Sequence, residues 1–88
     1  MPVDEEAEFF YRSERYFMGL YRNMHIRLVA RFRPHMTDRI HTLRVRAVRL
    51  VRYHRGMARY YRLMQRFLRE EYRGGNPVHP PMPVEPQL

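Results

Sequence analysis

The sequence predicts an all-α protein, an antiparallel two-helix hairpin with an extended proline-rich C-terminal tail. If Gly56 breaks the second helix, the same pattern gives three helices. Three observations carry this. Apolar residues recur at helical spacing through two long segments, with no strand-like alternation. Arg33-Pro34-His35-Met36-Thr37-Asp38 punctuates them, and Gly74-Gly75-Asn76-Pro77 ends the second.

The elements follow in order. Residues 1–8 form an acidic lead-in, with Asp4, Glu5, Glu6 and Glu8 and no base. Acids there suit the start of a helix, where the dipole favours negative charge, and they can also pair with arginines of the second helix. Residues 9–73 are the hairpin. The first helix is expected over about 5–32, where Phe10, Phe17, Tyr21, Met24 and Leu28 hold a heptad-like seam and Glu14 fills its polar slot. A turn over 33–37 follows, because proline disfavours helix at the residue before it. Thr37 then offers a side-chain cap and Asp38 an acid in the first turn. The second helix is expected over about 38–73. Leu43, Ala47, Leu50, His54, Met57, Tyr61, Met64 and Leu68 recur at steps of four and three. Residues 74–88 are the tail, with five prolines from Pro77 onward, expected to be extended along a partner or disordered.

Composition narrows the partners. The chain has 88 residues, 17 arginines with no lysine, nine acids and a net charge of +8. There is no cysteine, hence no disulfide framework or thiolate metal site. No stretch is apolar enough for a transmembrane segment. All 17 arginines fall within 9–73, and such a field attracts an acidic protein surface, anionic lipid or RNA phosphates. Arg52, Arg55, Arg59, Arg62, Arg66 and Arg69 step by three and four. At ~100° per residue they share one face, opposite Met57, Tyr61, Met64 and Leu68, over about 25 Å. Like charges at this spacing destabilise a helix, so the counter-charges are expected on a partner. Aromatic residues beside the seam, such as Phe9, Tyr16, Tyr53, Tyr60 and Phe67, widen it enough to receive a third element, expected from another chain.

Catalytic chemistry is not indicated. His25, His35, His41, His54 and His79 form no pair at helical spacing and no carboxylate completes a metal set. His54, in the seam, reads as a satisfied interface histidine. There is no glycine-rich phosphate loop, and Ser13 is the sole serine. The expectation is no enzyme, no metal and no cofactor. No RNP, KH, zinc-finger or zipper pattern points to a particular nucleic-acid module.

Leu20-Tyr21-Arg22, in a basic first helix, resembles the signature of the LYR-motif family of small mitochondrial proteins, as do the length, the basic charge and Phe32 downstream. His25 and Ile26 stand near that family's downstream leucine, and Arg27 comes one place past its arginine. The resemblance implies three helices, Tyr21 and Arg22 as motif residues, and basic residues that meet an acidic acyl carrier protein. It also implies an accessory subunit or assembly factor. The sequence reading is accordingly a non-catalytic accessory subunit of a large mitochondrial assembly, a respiratory-chain or ATP-synthase complex. It would sit on the matrix side or the inner-membrane periphery, against other subunits. The alternative is a small mitoribosomal protein whose arginine stripe binds rRNA.

Overall fold

The structure is a computed structural model that describes residues 2–88, so Met1 of the lead-in lies outside it. Two helices pack against each other: α1, Pro2–Phe32, and α2, Asp38–Tyr72. A short 3-10 turn, Arg33–His35, joins them. No strand occurs among the described residues. The Cα extents are 58 × 20 × 13 Å.

The helix ends follow local chemistry. α1 takes in the acidic lead-in from Pro2, ahead of the expected start, and glutamates at that end suit the dipole. Thr37 is extended, and its Oγ1 accepts a hydrogen bond from the Ile40 amide at 3.3 Å, capping α2. At the other end, Gly74 has φ +84°, a left-handed conformation that glycine adopts freely. Its amide donates to the Glu71 carbonyl at 3.0 Å, and that of Gly75 donates to the Glu70 carbonyl at 2.9 Å. This pair of bonds is a Schellman stop. A Cβ on Gly75 would meet the Glu70 oxygen at 3.0 Å, so both glycines are needed to turn the chain. Helix α2 runs through Gly56 without interruption.

The contact between the helices is rotated from the heptad seam. The buried residues are Ala7, Ala47, Met57, Ala58 and Gln65. Counted from Met57 at ~100° per residue, Ala47, Ala58 and Gln65 lie about 80–100° to one side. Small side chains let the backbones approach there, and the bulky seam is left at the edge. Of the expected seam residues, Phe10, Phe17, Met24 and Leu43 remain 39–44% exposed. Tyr21, Leu28, Leu50, Tyr61, Met64 and Leu68 are half-buried. The seam is therefore only partly buried. Ring contacts still cross it: Phe10 stacks on Tyr61 with centroids 5.3 Å apart, and Phe17 and Tyr21 stack on His54 at 5.4 and 5.6 Å.

The tail returns along α2. His79 meets the edge of Phe67 at 5.0 Å, and Pro83 lies over Gly56. Arg49 Nη1 donates to the Gln87 carbonyl at 3.2 Å. From His79 to Gln87 a polyproline II chain at ~3.1 Å per residue advances about 25 Å. From Phe67 back to Arg49 the helix covers about 27 Å at ~1.5 Å per residue. The two lengths match, so the tail runs straight. Pro80 is buried and Pro77, Pro83 and Pro86 are half-buried, while every other residue of 77–88 is exposed. Burial every third residue is the period of polyproline II.

Candidate interaction surfaces

Seen down its axis, α2 presents four faces, each built from one helical row. The row holding Met57 and Tyr61 meets α1. On one flank lies a polar clasp, on the other flank the tail, and on the far side the arginines.

The clasp joins the helices near the chain termini. Arg62 Nη1 donates to Glu8 Oε2 at 2.6 Å and to Gln65 Oε1 at 2.9 Å. Gln65 Nε2 donates to the same Glu8 oxygen at 3.1 Å, and Arg12 Nε donates to Glu8 Oε1 at 3.2 Å. The Arg62 guanidinium also lies over the Tyr11 ring, 3.6 Å from its centroid, a cation–π arrangement. The Gln65 hydrogen bond first, and then Arg62 and Arg12, hold the Glu8 carboxyl below the usual range against the opposing effect of partial burial. Hydrogen bonds from Arg15 and then Arg62 lower the pKa of Tyr11 in the same way. The buried amide of Gln65 is therefore satisfied on both its groups.

A second polar pair sits mid-seam, where the Glu14 carboxylate meets Nδ1 of His54. Both side chains are largely buried. The polar slot in α1 and the seam histidine of α2 are thus partners, and the rings of Phe17 and Tyr21 stack against that histidine. Burial raises the pKa of Tyr61, with Glu14 contributing further. His25 Nε2 is buried with no hydrogen-bond partner.

The arginine row divides. Arg52, Arg55, Arg59 and Arg66 are exposed, with no hydrogen bond or ion pair among the described residues. Arg69 is exposed on the same row. Arg62 departs from the expectation of an arginine reserved for an outside anion. It lies at the edge of the row nearest Gln65, opposite Glu8 of α1, and its charge is already met within the chain. The pairing between the acidic lead-in and α2 is realised through Glu8.

The tail flank carries a ladder that includes Tyr53, Tyr60 and Phe67, the aromatic residues expected to widen the seam for a third element, and the element found there is this chain's own tail. Arg49, Tyr53, Gly56, Tyr60, Leu63 and Phe67 step by four and three along α2, about 80° from Met57 on the side away from the clasp. Burial, and next the charge of Glu85 in the tail, raise the pKa of Tyr53. The signal was present in the sequence, since Pro77, Pro80, Pro83 and Pro86 fall at every third position.

The same flank of α1 is open. The clasp shows which flanks of the two helices share a side, because Tyr11 faces Arg62. Phe9, Tyr16 and Leu20 lie on the flank of α1 opposite Tyr11, about 180° round from it, and hence beside the tail. They are 65%, 67% and 46% exposed. With Phe10, Phe17 and Met24 they form an apolar edge over residues 9–24, about 22 Å long at ~1.5 Å per residue. A shallow groove of about 390 Å³ continues it, lined by Leu20, Met24, Leu28 and Phe32 with Asn23, Arg27 and Arg31. Of the tripeptide Leu20-Tyr21-Arg22, Leu20 is on this edge, Tyr21 is against His54 and Arg22 is exposed.

No group of three or more metal-ligating side chains occurs among the described residues. No described helix is long and apolar enough to cross a membrane. The chain matches no family model, no curated protein and no solved structure.

Proposed function

We propose that this chain is a non-catalytic structural subunit that docks on a larger assembly. The observation that carries the reading is the open apolar edge of α1. A monomer of this size rarely leaves a contiguous run of large side chains such as Phe9, Phe10, Tyr16, Phe17, Leu20 and Met24 in water, and a partner that covers the edge removes that cost. Arg52, Arg55, Arg59 and Arg66, on the far side of α2, supply a second contact, to an acidic surface. The assembly we assign is a mitochondrial respiratory-chain or ATP-synthase complex, with the chain on its matrix or membrane-peripheral face; the Leu20-Tyr21-Arg22 resemblance supports the respiratory chain.

A second reading rests on Arg52, Arg55, Arg59 and Arg66 alone, whose charges also suit phosphates. On it the chain is a small mitoribosomal protein on rRNA. Salt separates the two. Phosphate binding weakens by ~0.7–0.9 log units per contact for each tenfold rise in salt, whereas an apolar edge in protein contact resists salt. Tagged chain purified through a high-salt wash should retain a large membrane-derived particle. Release by salt, with ribosomal RNA in the low-salt eluate, would overturn the first reading in favour of the second.

A further inference from the structure

The tail flank of α2 has the construction of a peptide-binding site. Tyr53, Tyr60 and Phe67 recur every seven residues, about 10.5 Å apart along the helix. A polyproline II strand turns once in three residues, about 9.3 Å. Aromatic ridges at nearly the pitch of the strand give each turn of prolines a gap to occupy. Gly56, with no side chain, makes one such gap, and the Pro83 ring fills it, its Cγ 3.4 Å from where a Cβ would stand. Arg49 adds a donor that grips a backbone carbonyl, that of Gln87. The polyproline strand arrives preordered, so little conformational entropy is lost on docking.

We propose that this ladder is a binding site for a proline-rich segment in the polyproline II conformation, with prolines at every third residue, and that residues 77–86 occupy it in cis. A partner's segment of the same pattern takes the site by displacing the tail. The contacts that hold the tail suit exchange. Only Pro80 is buried outright, and the strand is tethered through the exposed turn at Gly74 and Gly75. Side chains that point away from α2, Val78 at 90% and Val84 at 89% exposed, make no demand on the site, so the ligand is specified by its proline row. The proposal stands apart from the docking role, since the ladder and the open edge belong to different helices.

The test uses the full chain. The site is vacated by replacing Pro80, Pro83 and Pro86 with glycine, which removes the rings and the preordering. The probe is a peptide of residues 76–88 with tryptophan at the exposed position of Met82. The protein has no tryptophan, so the indole reports the peptide alone. The vacated chain should bind the probe saturably. The wild-type chain should bind it at least tenfold more weakly, because the tethered tail competes at an effective concentration of order millimolar. A probe with the same prolines changed to glycine should bind neither. No saturable binding to the vacated chain, or equal binding of both probes, overturns the proposal. A measurement on the wild-type chain guards against misfolding of the variant. At several millimolar peptide the His79 ring resonances should leave the position they hold beside Phe67, and unmoved resonances overturn the proposal equally.

Discussion

Met57 and Leu43 separate the seam expected from spacing from the contact the fold makes. Both lie on the α2 heptad row, and spacing alone ranks them alike. In the structure Met57 is 3% exposed and Leu43 is 40% exposed. Truncation to alanine removes three heavy atoms from either side chain. For Met57 the transfer loss is about 2.4 kcal/mol at ~0.8 per methylene-sized group. A closed site also leaves a cavity, which brings the total to about 3 kcal/mol, within the range of ~2–5 seen for buried methionine. For Leu43 only about three-fifths of that transfer is at stake and water fills the space, so the loss is about 1.4 kcal/mol. The whole chain is worth roughly 4–13 kcal/mol at ~0.05–0.15 per residue, so both losses are measurable. Urea denaturation followed by circular dichroism at 222 nm should place Met57→Ala about 1.5 kcal/mol below Leu43→Ala. Equal losses would refute the rotated contact.

Other consequences follow from the same geometry. Arg55→Glu with Arg59→Glu should keep the helical signal and lose incorporation into the assembly, measured by co-purification, because neither arginine has a partner among the described residues. Arg62→Glu should also lower the melting temperature, since it sets a carboxylate against Glu8 and empties the face of Tyr11. Glu8 has a depressed folded-state pKa, so its contribution is present above the ordinary carboxylate value and is lost as pH falls through the depressed one. The melting temperature of wild type should accordingly exceed that of Glu8→Ala at neutral pH and converge with it in acid. Gly56→Ala should be neutral or stabilising by up to ~1 kcal/mol, since alanine favours helix and its Cβ would touch Pro83 at ordinary contact distance. A fall in melting temperature would show that the gap over Gly56 is tighter than described. His25→Met should raise the melting temperature by relieving a buried nitrogen without a partner.

The two helices and the turn between them were legible because their causes are local. Helical spacing, the Thr37 cap and the glycine pair after Tyr72 act within a few residues of chain. The polar slot of Glu14 and the place of His54 in the seam were legible for the same reason, although their pairing was not. Which arginine of the row would be consumed within the chain depended on the level at which Glu8 crosses α2. That level is set by how far the two helices slide along one another.

The sequence by itself determined the periodicities, namely an apolar row, an arginine row opposite it and a proline at every third place of the tail. Each is a property of one element and its own pitch. Only the tertiary structure decided the rotation about the helix axes. Ala58, beside the row residues Ala47 and Met57, and the Glu8–Arg62–Gln65 clasp draw the contact toward one side of the heptad row. That rotation carries Phe9, Tyr16 and Leu20 out to an open edge and turns the Tyr53, Tyr60 and Phe67 ladder toward the returning tail. Rotation is a compromise among contacts from both helices at once, and no single row of residues contains it.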